Sequence, residues 1–199
     1  MFKKISLFIL SFSCTYAMHT AELNINEYDL EAGVKWDIGQ FNGTVEPDTT
    51  FIGLSYLKAD RENASNNNID GYINVNFITK QNIKNTGFKV GLGMKGVYTT
   101  LSDSDFIAVP IGAELSYNFP LNFPIPIGLS ASAYYAPKSL SFSDAGGYLE
   151  YRTEVYANLM ERASVYIGYR KINTKYDFSN NIYDITYNKS IYYGIKFSF

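Results

Sequence analysis

The stretch Lys189-Ser190-Ile191-Tyr192-Tyr193-Gly194-Ile195-Lys196-Phe197-Ser198-Phe199 divides by parity. Ile191, Tyr193, Ile195, Phe197 and Phe199 share one parity, and Tyr192, Gly194, Lys196 and Ser198 share the other. Successive strand side chains point to opposite faces, so this segment predicts a strand with one greasy face and one mostly small or polar face. A strand in the wall of a membrane barrel needs that division, because its outer face meets lipid and its ends meet an aromatic girdle. The stripe ending at Phe199 also has the form of the signal that outer-membrane assembly machinery recognises. The expectation is an all-β protein, a small antiparallel up-and-down transmembrane β-barrel of 8–10 strands in an outer membrane.

The same alternation recurs along the chain. Tyr28, Leu30, Ala32, Val34, Trp36 and Ile38 oppose Asp29, Glu31, Gly33, Lys35 and Asp37. Further strands are predicted around Ile52 to Tyr56, Ile73 to Phe77, Phe88 to Tyr98, Ile107 to Phe119, Ile127 to Tyr135, Leu149 to Ala157 and Val165 to Tyr169. These make nine segments with the closing strand. Residues 21–26 either supply a tenth or leave the first segment outside the wall. Residues 40–48, 60–68, 101–105, 136–147 and 173–181 read as loops, and 80–85 and 160–162 as short turns. Short turns alternating with long polar loops suggest the two ends of an outer-membrane barrel. Residues 115–137 carry no charge, but Pro120, Pro124 and Pro126 exclude a membrane helix there.

Residues 1–17 read as a secretory signal, with Lys3 and Lys4 before an apolar run and Thr15-Tyr16-Ala17 as the cleavage site. The remainder, 18–199, reads as a single barrel domain. Cys14, the only cysteine, leaves with the signal, so no redox chemistry is expected. The formal net charge of −2 comes with no basic stripe for nucleic acid. An aromatic share of 17% beside a charged share of 18% suits a wall facing lipid outside and water inside, and is too polar for a bundle of membrane helices.

The run Ser132-Ala-Tyr-Tyr-Ala-Pro-Lys-Ser-Leu-Ser-Phe142, with Tyr148-Leu-Glu-Tyr-Arg152 and Val165-Tyr-Ile-Gly-Tyr-Arg-Lys-Ile172, resembles the YfaZ family of outer-membrane proteins. The resemblance implies a barrel in the outer membrane and supplies no catalytic residues.

Parity sends Glu31, Lys35, Lys89, Lys95, Glu114, Glu150, Arg152, Glu154, Arg170 and Lys196 into the lumen, near charge balance. Interleaved opposite charges in a small barrel are expected to pair and fill it. Arg152 should bridge Glu150, Glu154 or a carboxylate such as Glu114. Such a lumen suits a structural, interaction or narrow porin-like role.

Other motifs weaken on inspection. Gly91-Leu-Gly-Met-Lys-Gly96 spells a dinucleotide fingerprint, but Val97-Tyr98-Thr99-Thr100 is a poor helix start. Asp103 and Asp105 offer too few oxygens for calcium. An enzyme at the outer rim would draw on Asp103, Asp105, Ser143 and Asp144, yet His19, the only histidine, sits beside the cleavage site at the N-terminus and is poorly placed to act as their base. No cofactor, metal or catalytic residue is therefore expected. The partners expected are outer-membrane lipids and the barrel assembly machinery. A soluble secreted β-barrel binder, with its greasy face turned inward, is the remaining alternative.

Overall fold

The computed structural model describes residues 19–59, 71–101, 104–120, 124–178 and 181–199. The expected signal, residues 1–17, lies outside them, as does Asp103. The strands are β1 (Thr20–Ile25), β2 (Asp29–Asp37), β3 (Thr50–Ala59), β4 (Tyr72–Asn82), β5 (Phe88–Leu101) and β6 (Ser104–Ala108). They continue as β7 (Ile111–Asn118), β8 (Ile127–Ala136), β9 (Ser141–Ser143), β10 (Ala145–Met160), β11 (Ala163–Phe178) and β12 (Asn181–Ser198).

Every pairing is antiparallel, and the sheet closes on itself through β1 with β12 and β4 with β5. β6 and β7 keep one register against β5, from Leu101↔Ser104 through Met94↔Ile111, so they are a single wall strand interrupted at Val109 and Pro110. Proline has no N–H to give the ladder. Its carbonyl still accepts from the Lys95 amide at 2.9 Å. β8 leaves the wall at Ala136, and β9 takes its place beside β6 through Phe106↔Ser143 and Ala108↔Ser141. The wall is therefore ten strands. Thr20–Ile25 supplies the one the sequence left open, pairing Leu23 with both Ile195 and Ala32.

Several expected loops are strand instead. β5 and β6 run to Leu101 and from Ser104, so most of 101–105 is hairpin. Residues 136–147 hold a 3-10 turn, β9 and the start of β10, and 173–181 is mostly β11 and β12. Lys80 belongs to β4, which runs to Asn82. The expected alternation of short turns with long loops fails as well. The connection of residues 38–49 lies at the same end as the two-residue turn at 161–162, and the β1–β2 turn is short at the other end. Below, the end carrying His19 and Phe199 is the terminal end, and the opposite one is the hairpin end.

The faces follow the parity read from the sequence. Leu30, Leu54, Val75, Leu92, Ile111, Leu129, Val155 and Ile167 are exposed on the outside of the wall. Phe77, Phe88 and Phe119 lie outward toward the terminal end, and Tyr56, Tyr98 and Tyr135 toward the hairpin end. An aliphatic band between two aromatic rings is the outer surface of a membrane barrel.

The inner face is shaped by tyrosines laid over glycines. Gly112↔Tyr134, Gly128↔Tyr156, Gly168↔Tyr192 and Gly194↔Tyr166 are direct cross-strand partners. A Cβ on Gly194 would come 2.1 Å from the Tyr166 ring, and one on Gly168 2.5 Å from the Tyr192 ring. Each ring thus uses the space that a missing side chain leaves in a crowded, curved wall. Gly194→Ala should cost about 1–3 kcal/mol through forced repacking. Gly43→Ala, with nothing within 4 Å of its Cβ position, should be near neutral on packing grounds. Urea unfolding of both variants in detergent micelles checks the contrast.

Candidate functional site: the lumen

The lumen has three layers. At the terminal end a polar cavity of ≈ 290 Å³ is lined by Glu22, Lys35, Lys80, Lys89, Glu114, Lys196 and their neighbours. Its pairs join β1 to β2, β4 to β7 across β5 and, for Lys89, a strand to the connection between β2 and β3. Lys80 Nζ lies 2.8 Å from Glu114 Oε2, Lys89 Nζ 2.6 Å from Asp48 Oδ2, and Lys35 Nζ 3.5 Å from Glu22 Oε2. Lys196 lies over the Tyr166 ring, 5.4 Å from its centroid.

Above this cavity a chain of charges crosses the bore. Lys95 on β5 donates to Glu150 Oε2 on β10 at 2.7 Å. Arg152 Nε donates to Glu150 Oε1 at 2.5 Å. The Arg152 guanidinium also forks onto Glu31 on β2, with Nη1 to Oε2 at 2.8 Å and Nη2 to Oε1 at 2.9 Å. Glu31 Oε2 further accepts from Arg170 Nη1 on β11 at 2.5 Å and from Asn24 at 2.8 Å. Arg170 Nε is held by Asn188, whose amide reaches Asp29 at 2.9 Å. Glu150 and Arg170 are fully buried, and Glu31 is 1% exposed. Each of these carboxylates carries several donors, which a buried charge requires.

Toward the hairpin end the bore becomes aromatic. Leu57, Tyr72, Val97, Phe106, Tyr134, Tyr148, Ile172, Tyr176 and Tyr187 form a buried cluster. The Tyr72 and Tyr148 hydroxyls meet at 2.5 Å, and Tyr148 donates to Glu150 Oε2 at 2.7 Å. Lys95 Nζ sits 3.9 Å from the Tyr134 ring centroid, in cation–π contact. The charged layer and the aromatic layer are thus one hydrogen-bonded unit. A bulge at Tyr187 helps to build it, because skipping one register position turns both Tyr187 and Asn188 inward.

All ten charges singled out by parity face the lumen, but their partners differ from the expectation. Arg152 does pair with Glu150, yet its second partner is Glu31 across the bore. Glu114 instead takes Lys80 and the Tyr134 hydroxyl, and Glu154 takes Tyr192 and Ser130. Glu22, Asp29, Asp48 and Lys80 also join the lumen's ion pairs, beyond the ten that parity selects. Asp29 could have been found by its parity with Glu31. The sequence places Lys80 in a short turn, Asp48 in a loop and Glu22 in the segment 21–26 that it leaves undecided.

Of the residues considered for catalysis, Ser143, Asp144 and Asp105 come together where β9 meets β6, with the Asp144 amide donating to the Asp105 carbonyl, whereas His19 lies at the other end of the barrel. Ser143, Asp144 and Asp105 lie at the hairpin end, where Asp105 accepts from the Tyr98 hydroxyl. His19 lies at the terminal end, stacked on Phe41 at 5.4 Å with its Nδ1 accepting the Asp37 amide. The Gly91–Gly96 run lies inside β5, so no helix starts there to hold a pyrophosphate. The described residues hold no cluster of metal-ligating side chains.

Arg152→Ala removes the residue that ties Glu150 to Glu31 and should cost about 3 kcal/mol, in the range for breaking a buried ion pair. Tyr151→Ala acts on the outer face instead. Denaturant unfolding in micelles, with lipid-phase quenching of a probe at each position, separates the two: position 151 should be quenched and 152 protected.

A family model described as "YfaZ precursor" matches residues 40–199. No curated protein matches the chain in sequence. Among solved structures, the NanC porin is similar over 92% of this chain and 98% of its own, at 9% identity and a TM-score of 0.40. The translocator domain of the autotransporter NalP from Neisseria meningitidis is similar over 92% of this chain and 87% of its own, at 12% identity and a TM-score of 0.26. With the family model spanning most of its length, the chain belongs to the YfaZ family.

Proposed function

We propose that this chain is an outer-membrane barrel with a largely filled bore, serving a structural or interaction role rather than that of an open diffusion pore. One observation carries the reading. The chain Lys95–Glu150–Arg152–Glu31–Arg170 runs from wall to wall beneath a cap of buried tyrosines. A solute would have to break several charge-assisted hydrogen bonds within a largely buried layer, each stronger than a neutral one.

The membrane assignment is supported by the direction of the faces. A soluble lipocalin-like binder would turn its apolar face inward. Here Leu92, Ile111 and Ile191 are 70%, 55% and 60% exposed, while charges occupy the interior. So large a contiguous apolar surface is out of scale for a soluble monomer. The outward stripe Ile191, Tyr193, Ile195, Phe197 and Phe199 fits recognition by assembly machinery as well as contact with lipid. A non-catalytic role is favoured because the sole histidine and the rim Ser143 and Asp144 occupy opposite ends of the barrel.

A narrow-channel role is the second reading, favoured by the polar cavity that reaches from the terminal end to the charged layer. Purified protein should fractionate with outer membranes and migrate faster unheated than boiled. Recovery from the periplasm without detergent would end the membrane reading. In planar bilayers the wild type should show no large, steady conductance steps. Such steps would overturn the filled-bore reading, and small steps that grow in the double variant Glu31→Gln/Arg152→Gln would select the narrow channel.

A further inference from the structure

On the outer wall two lysines stand opposite each other with no counter-ion among the described residues. Lys171 on β11 and Lys189 on β12 are direct cross-strand partners. Both have the outward parity of Tyr169 and Ile191, which form the next pair toward the terminal end. Neither lysine joins an ion pair among the described residues, whereas several lumen lysines do. Like charges directly opposite each other on one sheet face are destabilising.

Their height on the wall is informative. The rise from Lys189 to Phe199, along a strand tilted as in such barrels, is about 25 Å, the height of the apolar band itself. The lysines therefore stand at the hairpin-end boundary of that band, where headgroups begin. Their flanks are suited to the same level. Tyr151 is the cross-strand partner of Lys171 on the other side, and the Tyr151 and Tyr169 rings lie 6.0 Å apart. Amphipathic rings and lysine stems both prefer an interface, with the apolar part in hydrocarbon and the polar tip outside it.

We propose that Lys171 and Lys189, flanked by Tyr151 and Tyr169, form a site for the phosphate of a phosphorylated lipid headgroup. Two ammonium groups on adjacent strands can converge on one phosphate through charge-assisted hydrogen bonds, which removes the repulsion between them. A lipid is favoured over a free anion because the site opens outward at the edge of the apolar band, where an anchored acyl chain holds the phosphate at this height. The inference rests on the membrane reading above, and the test keeps the two apart, because heat-dependent migration reports the barrel whether or not lipid is bound.

The full chain, folded in neutral detergent, is titrated with diphosphoryl lipid A, its dephosphorylated form and inorganic phosphate, and bound lipid is counted by native mass spectrometry. The wild type should prefer the diphosphoryl form, and Lys171→Gln/Lys189→Gln should lose about tenfold in affinity for it. Lys58→Gln, an outward lysine on β3, should bind as the wild type does. The pair Lys171→Arg/Lys189→Arg keeps both charges and should retain the lipid. Equal binding of the dephosphorylated lipid, wild-type affinity in the glutamine pair, or loss of lipid from a heat-modifiable arginine pair would each overturn the proposal. Inorganic phosphate binding as tightly as the lipid would overturn it in favour of a free-anion site. Should the glutamine pair fail to fold, the arginine pair and the preference between lipid forms still decide.

Discussion

Glu31 is the point on which the interior depends. Its two oxygens accept three guanidinium hydrogen bonds, two from Arg152 on β10 and one from Arg170 on β11, and one from Asn24 beside it. Without Glu31, the guanidiniums of Arg152 and Arg170, direct cross-strand partners on β10 and β11, would lie side by side with no shared anion. Without the arginines, Glu31 would be a buried carboxylate left with the Asn24 amide. Either state is costly enough to disfavour the closed arrangement, since an unpaired buried ion loses its hydration and regains nothing. The carboxylate thus ties β2 to β10 and β11 through the lumen, beside the ladder that joins them through β1 and β12.

The ladder supplies the frame and the tyrosine–glycine pairs set its shape. Tyr134, Tyr156, Tyr166 and Tyr192 each lie over the glycine directly opposite, so four large rings occupy the inner face without pushing the strands apart. These rings also serve the polar network. Tyr134 donates to Glu114, Tyr166 to Asn24, and Tyr192 to Glu154. Because Asn24 in turn donates to Glu31, the wall's curvature and the central charge layer are held by overlapping contacts.

The faces of the strands were legible because parity is a local property. Each of Glu150, Arg152 and Glu154 points inward for the same reason Tyr151 and Thr153 point outward, and no distant residue is needed to decide it. Which charges meet across the bore depends on barrel shear and strand number, and neither is written in any single strand. Arg152 and Glu31 are far apart in sequence and only the closed ten-strand wall brings them together. Strand ends were misread for a related reason. Residues of β11 beyond Lys171, such as Asn173, Lys175 and Asp177, rise past the apolar band, so their outer face meets water and the greasy alternation stops. The polar end of β4 at Lys80, Gln81 and Asn82 gave the same false signal of a turn. β1 was left open because it is short and carries only two large outward residues, Leu23 and Ile25.

The order of the layers follows from hydration. At the terminal end, Lys35, Lys80 and Lys89 have side chains about a quarter exposed, where water shares the work of solvating their pairs. At the central layer Glu31, Glu150 and Arg170 are almost wholly buried, Lys95 and Arg152 keep only a small exposed edge toward the cavity, and each charge has multiple partners rather than one. Farther on, the interior holds hydroxyls and rings, with Tyr72 and Tyr148 handing their polarity down to Glu150. Phe106, Tyr176 and Tyr187 belong to the buried cluster, where desolvation penalises a further charge. The sequence of paired and hydrated charges, then paired and largely buried charges, then aromatic rings is the order in which each group's need for solvent is met by its depth. It also makes the seal cooperative: loosening the aromatic cap would admit water onto Glu150, and loosening Glu150 would release Tyr148, so neither layer opens without the other.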